Sequence, residues 1–436
     1  MAVRRRRRRT REGQMRTCNG ARGERVAKHM RLAGVGAVLL LVAGTTLAAQ
    51  DWPHFLGPER DGHYSGPPLE RAWPGGAPRE LWRRAVGQGF AGPVVSGGRL
   101  LLFHRLQDRE VLEALDAETG DPIWRYDYPS NYRDDFGFDE GPRSAPVVSG
   151  GRVYTFGAQG QLHAVDLDTG VGVWNIDTRA RFRFRKAFFG AAGSPLVEGG
   201  RVIANVGGPD AGIVAFDADS GEVLWTVPGE EASYSSPVAA TFDGVRHALF
   251  FTRDNFVSLD PASGRERFRR SWRARIRASV NAATPLVADD LVFVSAQYGT
   301  GAGLFRIAGS GLDEVWRSNE VMSNHYATSV HRDGYLYGYH GRQEYGPSLR
   351  AVALETGDVT WDVPRFGAGS VLLAGDLLVV MRESGELLLA EASPEAFTPV
   401  ARARLLRGTV RAYPALAGGR LYLRNDDTLL AVDLTR

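Results

Sequence analysis

A short phrase recurs along this chain. ALDAETGDPIW at 114–124 returns as AVDLDTGVGVW at 164, AFDADSGEVLW at 215, SLDPASGRERF at 258 and AVALETGDVTW at 351. Each copy keeps Gly four residues after the Asp position and an aromatic residue eight after it. RIAGSGLDEVW at 306 and AEASPEAFTPV at 390 are decayed copies, and AVDLTR at 431 stops before its aromatic residue. A second phrase precedes each copy: GPVVSGGRLLL at 92, APVVSGGRVYT at 145, SPLVEGGRVIA at 194, and looser versions at 236, 284, 328, 370 and 413. The pairs number eight, and the Asp positions from 116 to 433 are spaced by about 45 residues, the blade period of a β-propeller rather than of a helical solenoid.

Within one unit, short apolar runs such as 146–148, 153–156 and 162–165 are broken by Gly-Gly, Ala-Gln-Gly and Asp-Thr-Gly. They predict four strands, A to D, joined by tight turns. The Gly of Thr-Gly supplies the positive φ such a turn needs, and the Asp caps the turn through its own backbone. The strand-D aromatic (Trp124, Trp174, Trp225, Phe268, Trp316, Trp361) is a large plate suited to packing between neighbouring blades. Residues 80–84, ELWRR, read as a strand D with no strands before it, while the last unit lacks its own. Joined, they complete one blade and leave no open seam. The expected fold is therefore all-β: an eight-bladed β-propeller over 80–436, with four-stranded antiparallel blades, closed by pairing of the N-terminal strand with the last blade.

Before the ring, residues 1–31 carry twelve Arg or Lys against two Glu, whereas the whole chain is only +3. The remainder is acidic, so no global basic field points to nucleic acid. Residues 1–29 read as a disordered extension or a start assigned too early. Residues 30–49, with a charged start, an apolar run and small residues at the end, read as a secretory signal peptide, too short in its apolar run to span a membrane. The single cysteine, Cys18, lies upstream of that segment. The expectation is a soluble, monomeric protein, periplasmic or extracellular, with no transmembrane segment, disulfide or lipid anchor on Cys. The Pro/Gly-rich lead-in at 50–79 offers little strand or helix and is expected to drape over the ring.

If Gly-Gly and Thr-Gly turns line one face, the other collects the D-to-A and B-to-C connections, where sites concentrate. The connection at 129–145 places Asp134 and Asp135 among further acids as a candidate hard-cation site, with Arg143 beside them. The connection at 179–193 alternates Arg179, Arg181, Arg183 and Arg185 with Ala and Phe, which in an extended segment puts bases on one side and aromatics on the other. With Arg273, Arg275 and Arg277 in a later connection, it predicts a basic surface for an anionic or glycan ligand. Asn281, Asn324, His325 and Tyr326 sit just before strand A, and Tyr298, Arg253 and Asp254 fall in B-to-C turns on the same face, all within reach of the channel mouth. No HExxH, GxxxxGK[ST] or GxSxG occurs, and no catalytic residue is predicted.

The paired phrase, S/T-P-x-V-x-G-G-R-x-Y and then A-x-D-x-x-T-G-x-x-x-W, resembles the PQQ-like β-propeller repeat family over 80–436, and WPHFLGPERDG at 52–62 resembles the opening segment of secreted bacterial members. The family is related to quinoprotein alcohol dehydrogenases and to the periplasmic outer-membrane-protein assembly propeller. The resemblance to the dehydrogenases implies a vicinal Cys-Cys disulfide, a catalytic Asp and a Glu/Asn calcium set; with Cys18 alone the disulfide is excluded. The reading is a non-catalytic exported binding or scaffold protein that takes a protein, anionic or glycan partner on its loop-rich face, with no cofactor predicted. The alternatives are an atypical dehydrogenase using PQQ and Ca²⁺, with Arg143, Asn281 and His325 near the channel, or a glycan-binding module.

Overall fold

The computed structural model of the protein describes residues 51–435 apart from 187, 277 and 278. The Arg-rich stretch and the export signal read from the sequence lie outside the described residues, as does Arg277. Within them the chain forms eight sheets, each with four antiparallel strands A to D that are consecutive in seven blades; the eighth takes its strand D from the N-terminal side, and one blade gains a short parallel strand. Blade 1 comprises Val94–Ser96, Arg99–Leu106, Arg109–Asp116 and Pro122–Pro129. Blades 2 to 7 follow over 147–177, 196–227, 238–271, 286–318, 330–363 and 369–404. Blade 8 takes Ala415–Ala417, Arg420–Arg424 and Thr428–Asp433 from the C-terminus and Arg79–Ala85 from the N-terminal side as its strand D, with Trp82 opposite Ala431. The expected closure is thus formed.

The recurring phrase is a latch between blades. Each Thr-Gly or Ser-Gly turn has its Gly at positive φ (Gly120 78°, Gly170 72°, Gly221 73°). The Asp caps it: Asp116 Oδ1 accepts the N–H groups of Glu118 and Thr119, and Asp217 Oδ1 those of Asp219 and Ser220. The bare Gly is also where the previous blade's Trp lies. A Cβ on Gly170 would stand 2.6 Å from Trp124 Cδ2, and Gly120, Gly221 and Gly264 meet Trp82, Trp174 and Trp225 in the same way. Each indole N–H then donates to a carbonyl of the neighbouring blade: Trp124 to Leu167 (2.9 Å), Trp174 to Ala218 (3.0 Å), Trp316 to Leu354 (2.8 Å) and Trp361 to Ser393 (2.9 Å). An aromatic plate and a satisfied donor therefore join each of these seams.

The lead-in segment takes two paths: residues 51–64 run along the inner strands of the ring, and residues 65–78, mostly exposed, lie over its turns, where Arg71 donates to Glu391 (3.1 Å) and to Asp376. Trp52 pairs with Val95 of blade 1, and Pro53 O accepts Val148 N–H of blade 2 (2.9 Å). Arg60 is buried, at φ 59°, and donates to Pro237 O of blade 4 (3.1 Å) and to Pro195 O of blade 3. His63–Tyr64 adds a parallel strand to the inner edge of blade 7. Glu70 N–H reaches Leu434 O of blade 8 (2.8 Å). Short inner strands leave backbone carbonyls facing the axis, and a Pro/Gly-rich segment with Trp52, Leu56, Tyr64 and Arg60 satisfies them while burying apolar surface.

Two histidines are held neutral by this packing. Burial, then the nearby Arg60 charge, hold His54 down to about 4, against the pull of the Pro58 and Val148 carbonyls. Burial alone brings His163 to about 4; its Nδ1 meets Tyr126 OH at 2.8 Å and its ring stacks on Tyr128 at 4.1 Å.

The seams and the histidines each generate an expected outcome. Gly170→Ala meets both the Trp124 plate and a forbidden φ and should lower stability by about 2–4 kcal/mol. Gly75→Ala, at φ 78° but with nothing within 4 Å, should cost only about 1–2 kcal/mol. Urea unfolding of the two variants checks the difference; equal costs would show that the indole contact contributes nothing. The histidines bind protons more tightly unfolded than folded, so their contribution is complete above the unfolded value of 6.5 and is lost as pH falls toward about 4. The urea midpoint should drop between pH 7 and about pH 5, and His163→Gln should flatten that drop.

Candidate functional site

One position of the repeat builds the mouth of the channel. Three residues before the first Pro of strand A, or before the residue replacing it, stand Phe90, Arg143, Ala192, Tyr234, Ala282, Tyr326, Ala368 and Arg411, one per blade in ring order. All eight line a single cavity of about 450 Å³ on the loop-rich face. Large side chains from blades 2, 4, 6 and 8 alternate with Ala from blades 3, 5 and 7, which leaves open space at the axis. Phe55 of the lead-in segment lies against Tyr413, ring centroids 5.0 Å apart, and closes the cavity from below. The result is a blind cup.

The cup has two unlike walls. Around blades 1 to 4 it presents Phe90, Phe138, Phe189 and Tyr234; around blades 5 to 8 it presents Tyr298, His325, Gln343, Glu344, Glu383 and Arg411. Glu383 accepts from Tyr326 OH (2.6 Å), Gln343 Nε2 (2.8 Å) and Arg411 Nε (2.9 Å). Burial and this carboxylate hold the Tyr326 phenol well above its ordinary range. Burial pushes His325 below its usual value, with Glu344 opposing. Gln343 N–H donates to His325 Nδ1 (3.4 Å), so the ring proton sits on Nε2 and is donated to the Tyr298 oxygen (2.8 Å). That leaves the Tyr298 hydroxyl proton free to be donated.

Arg143 and Arg411 both lie over the Phe90 ring, at 5.3 and 5.4 Å. Arg143 also covers Phe189 (5.5 Å), donates to Tyr132 OH (3.2 Å) and to Asp139 O (3.1 Å), and faces Asp134 at 3.7 Å. Guanidinium planes stacked on rings are held rigidly and keep their polar edges available. From Phe138 at the rim of the cup the apolar wall continues outward to Phe136: the two are 56% and 53% exposed and stacked at 6.1 Å, with Phe136 also near Phe188 and Phe189.

Of the residues expected at the mouth, Arg143, Tyr298, His325 and Tyr326 line the cup. Asn281 and Asn324 do not; they are 3% and 1% exposed and turn inward. Asn281 Nδ2 donates to Thr252 O (2.8 Å) and Trp272 O (3.0 Å), and Asn324 Nδ2 to Tyr339 O (2.8 Å). They brace the connections that carry their neighbours. Arg253 lies over Phe188 and pairs with Glu231 at 3.3 Å, outside the cup. Asp254 pairs with Arg273.

The Arg/Phe alternation is not an extended segment. Asp177 caps Ala180 N–H (2.9 Å), Thr178–Phe182 coils into one helical turn, and Arg183 ends it at φ 60°. Arg181 lies over Phe182 and Arg183 pairs with Asp210, both away from the cup. The physical reason is the local cap, which outweighs the period-two pattern. Asp134 accepts from Phe138 N–H (2.6 Å) and Asp135 pairs with Lys186 (2.5 Å), so the two carboxylates serve different partners. Among the described residues no three His, Cys, Asp or Glu side chains converge as metal ligands.

Phe55, Phe90, Tyr234, Glu383 and Arg411 were not anticipated. Four of these eight-fold or turn positions carry a signal in the repeat register, since Arg411-Ala-Tyr-Pro matches Arg143-Ser-Ala-Pro. Phe55 carries none, because its place depends on the path of the lead-in segment.

The family model described as outer membrane protein assembly factor BamB matches residues 76–181 and 108–344, together more than half of the chain. The assembly factor BamB of Moranella endobia is 24% identical over 286 residues, 62% of this chain and 69% of that protein. The quinohemoprotein alcohol dehydrogenase ADH-IIG of Pseudomonas putida is 35% identical over 128 residues, 28% of this chain. The matched stretch spans only 17% of that dehydrogenase. Among solved structures, BamB from Moraxella catarrhalis aligns with TM-score 0.61 at 15% identity, over 82% of this chain and 98% of that one. Quinohemoprotein alcohol dehydrogenase from Comamonas testosteroni aligns with TM-score 0.63 at 17% identity, over 88% and 80%. These last likenesses establish the fold. With the family model spanning most of the ring and the Asp-x-x-Thr-Gly and Trp pattern setting its seams, the chain belongs to the PQQ-like β-propeller family of the outer membrane protein assembly factor BamB.

Proposed function

We propose that this is an exported, non-catalytic binding protein that captures its partner or ligand on the loop-rich face, with the cup at the centre of that face. The observation that carries the reading is the state of the cup's ionisable groups. Glu383 is engaged by Tyr326, Gln343 and Arg411; Glu344 accepts from Arg342 (2.7 Å); His325 is bonded at both nitrogens. A general base needs a free, tunable group within reach of a reacting atom. Here the groups hold one another, which suits recognition.

The donor set also does not fit a calcium-held quinone. Calcium takes six to eight oxygen ligands, whereas the carboxylates in the cup are committed to arginine, phenol and amide partners. Among the described residues there is no cysteine for a disulfide against such a cofactor. Phe55 occupies the channel below the cup.

Two measurements test the reading. After incubation with PQQ and Ca²⁺, the protein should oxidise neither primary alcohols nor aldoses in a dye-linked assay; turnover that depends on PQQ would overturn the binding role. A photocrosslinking residue at Phe138 should give adducts in living cells, while the same residue at Leu224, exposed on an outer strand, should not. Equal labelling from both positions would count against the loop-rich face.

A further inference from the structure

The cup's asymmetry specifies the kind of molecule it holds. Its volume of about 450 Å³ lies in the range of small-ligand sites. An apolar wall on one side suits a flat C–H surface, since ring faces are electron-rich and attract C–H groups. The opposite wall mixes donors and acceptors: the Tyr298 hydroxyl, the Arg411 N–H groups other than Nε, the Gln343 amide oxygen and the second oxygen of Glu344. A ligand with an apolar face and hydroxyls at its edge matches both walls at once.

Charge narrows the class. Arg411 is bonded to Glu383 at 2.9 Å, Arg143 faces Asp134 at 3.7 Å, and Glu344 accepts from Arg342. Each charge in the cup has an opposite neighbour, so neither a fixed anion nor a fixed cation finds an unopposed partner. A carboxylate-bearing quinone or another acidic ligand is therefore disfavoured against a neutral polyol. The platform of Phe136 and Phe138 continues the apolar wall outward, which provides stacking for further units of a chain.

Building on the binding role proposed above, we infer that the cup is a site for a neutral oligosaccharide, one sugar ring packed inside beside Phe189 and Tyr234 and the next units running out over Phe138 and Phe136. Tyr298 donates to a hydroxyl of the inner ring. Ala192, Ala282 and Ala368 are the openings that admit it.

The repeat supplies a clean obstruction. Other blades carry Phe or Tyr at the position of Ala282, so Ala282→Phe fills the cup with a side chain the register already accommodates. Isothermal titration and saturation-transfer NMR would use maltotetraose, cellotetraose, xylotetraose and mannotriose, with oligogalacturonate and an Asp/Phe peptide as charged probes. At least one neutral oligosaccharide should bind, with affinity unchanged between low and high salt. Ala282→Phe should abolish binding without lowering the melting temperature, and Tyr298→Phe or Phe138→Ala should weaken it by about five- to tenfold. Silence from every neutral sugar at about 10 mM overturns the saccharide site. Binding of only the charged probes, weakened by salt, also overturns it but leaves the binding role standing. PQQ-dependent turnover would remove both.

Discussion

An indole lying on a glycine holds this ring together. Because the Gly of each Thr-Gly turn has no side chain, the Trp of the preceding blade can lie flat on the turn and donate its N–H to a carbonyl beyond it. The same contact recurs with Trp82 on Gly120, Trp225 on Gly264 and Trp316 on Gly357, so these seams share one geometry. The blade between seams must then fill a fixed sector, and eight sectors close. From that follow the short inner strands and the separation of turns on one face from long connections on the other.

Function in such a ring arises from register. One residue per blade, three before the strand-A Pro, faces the axis on the loop-rich side, and the eight choices made there define the cup. The lead-in segment supplies the floor. Rings of arginine, phenol and phenyl are held by stacking, and the carboxylates are held by hydrogen bonds, so the cup is organised before anything enters it.

The fold was legible because the residues that make seams recur at a fixed interval, and Trp, Gly and Asp each have a local physical role that survives without context. Part of the site was legible for the same reason: His325, Tyr326, Tyr298 and Arg143 stand out in connections that must lie on one face. Asn281 and Asn324 stand out equally, yet an amide can as well satisfy buried carbonyls as face solvent, and only their neighbours decide. The Arg/Phe alternation at 179–185 suggested an extended chain, but Asp177 at its start bends it into a helical turn. The lead-in segment was opaque because Pro and Gly specify no conformation of their own; its path is dictated by N–H groups of Val148 in blade 2 and Leu373 in blade 7 and by the carbonyls of Pro195 and Pro237 at blades 3 and 4.

Blade 8 has a temporal consequence. Its outer strand, Arg79–Ala85, emerges before the other strands of the ring's blades, and its partner, Thr428–Asp433, emerges after them. No chain lacking either strand can close the circle, so during synthesis the unfinished blades form an open arc with bare edges at both ends. Completion is a long-range event delayed until Thr428–Asp433 arrives, and until then the bare edges are open to self-association.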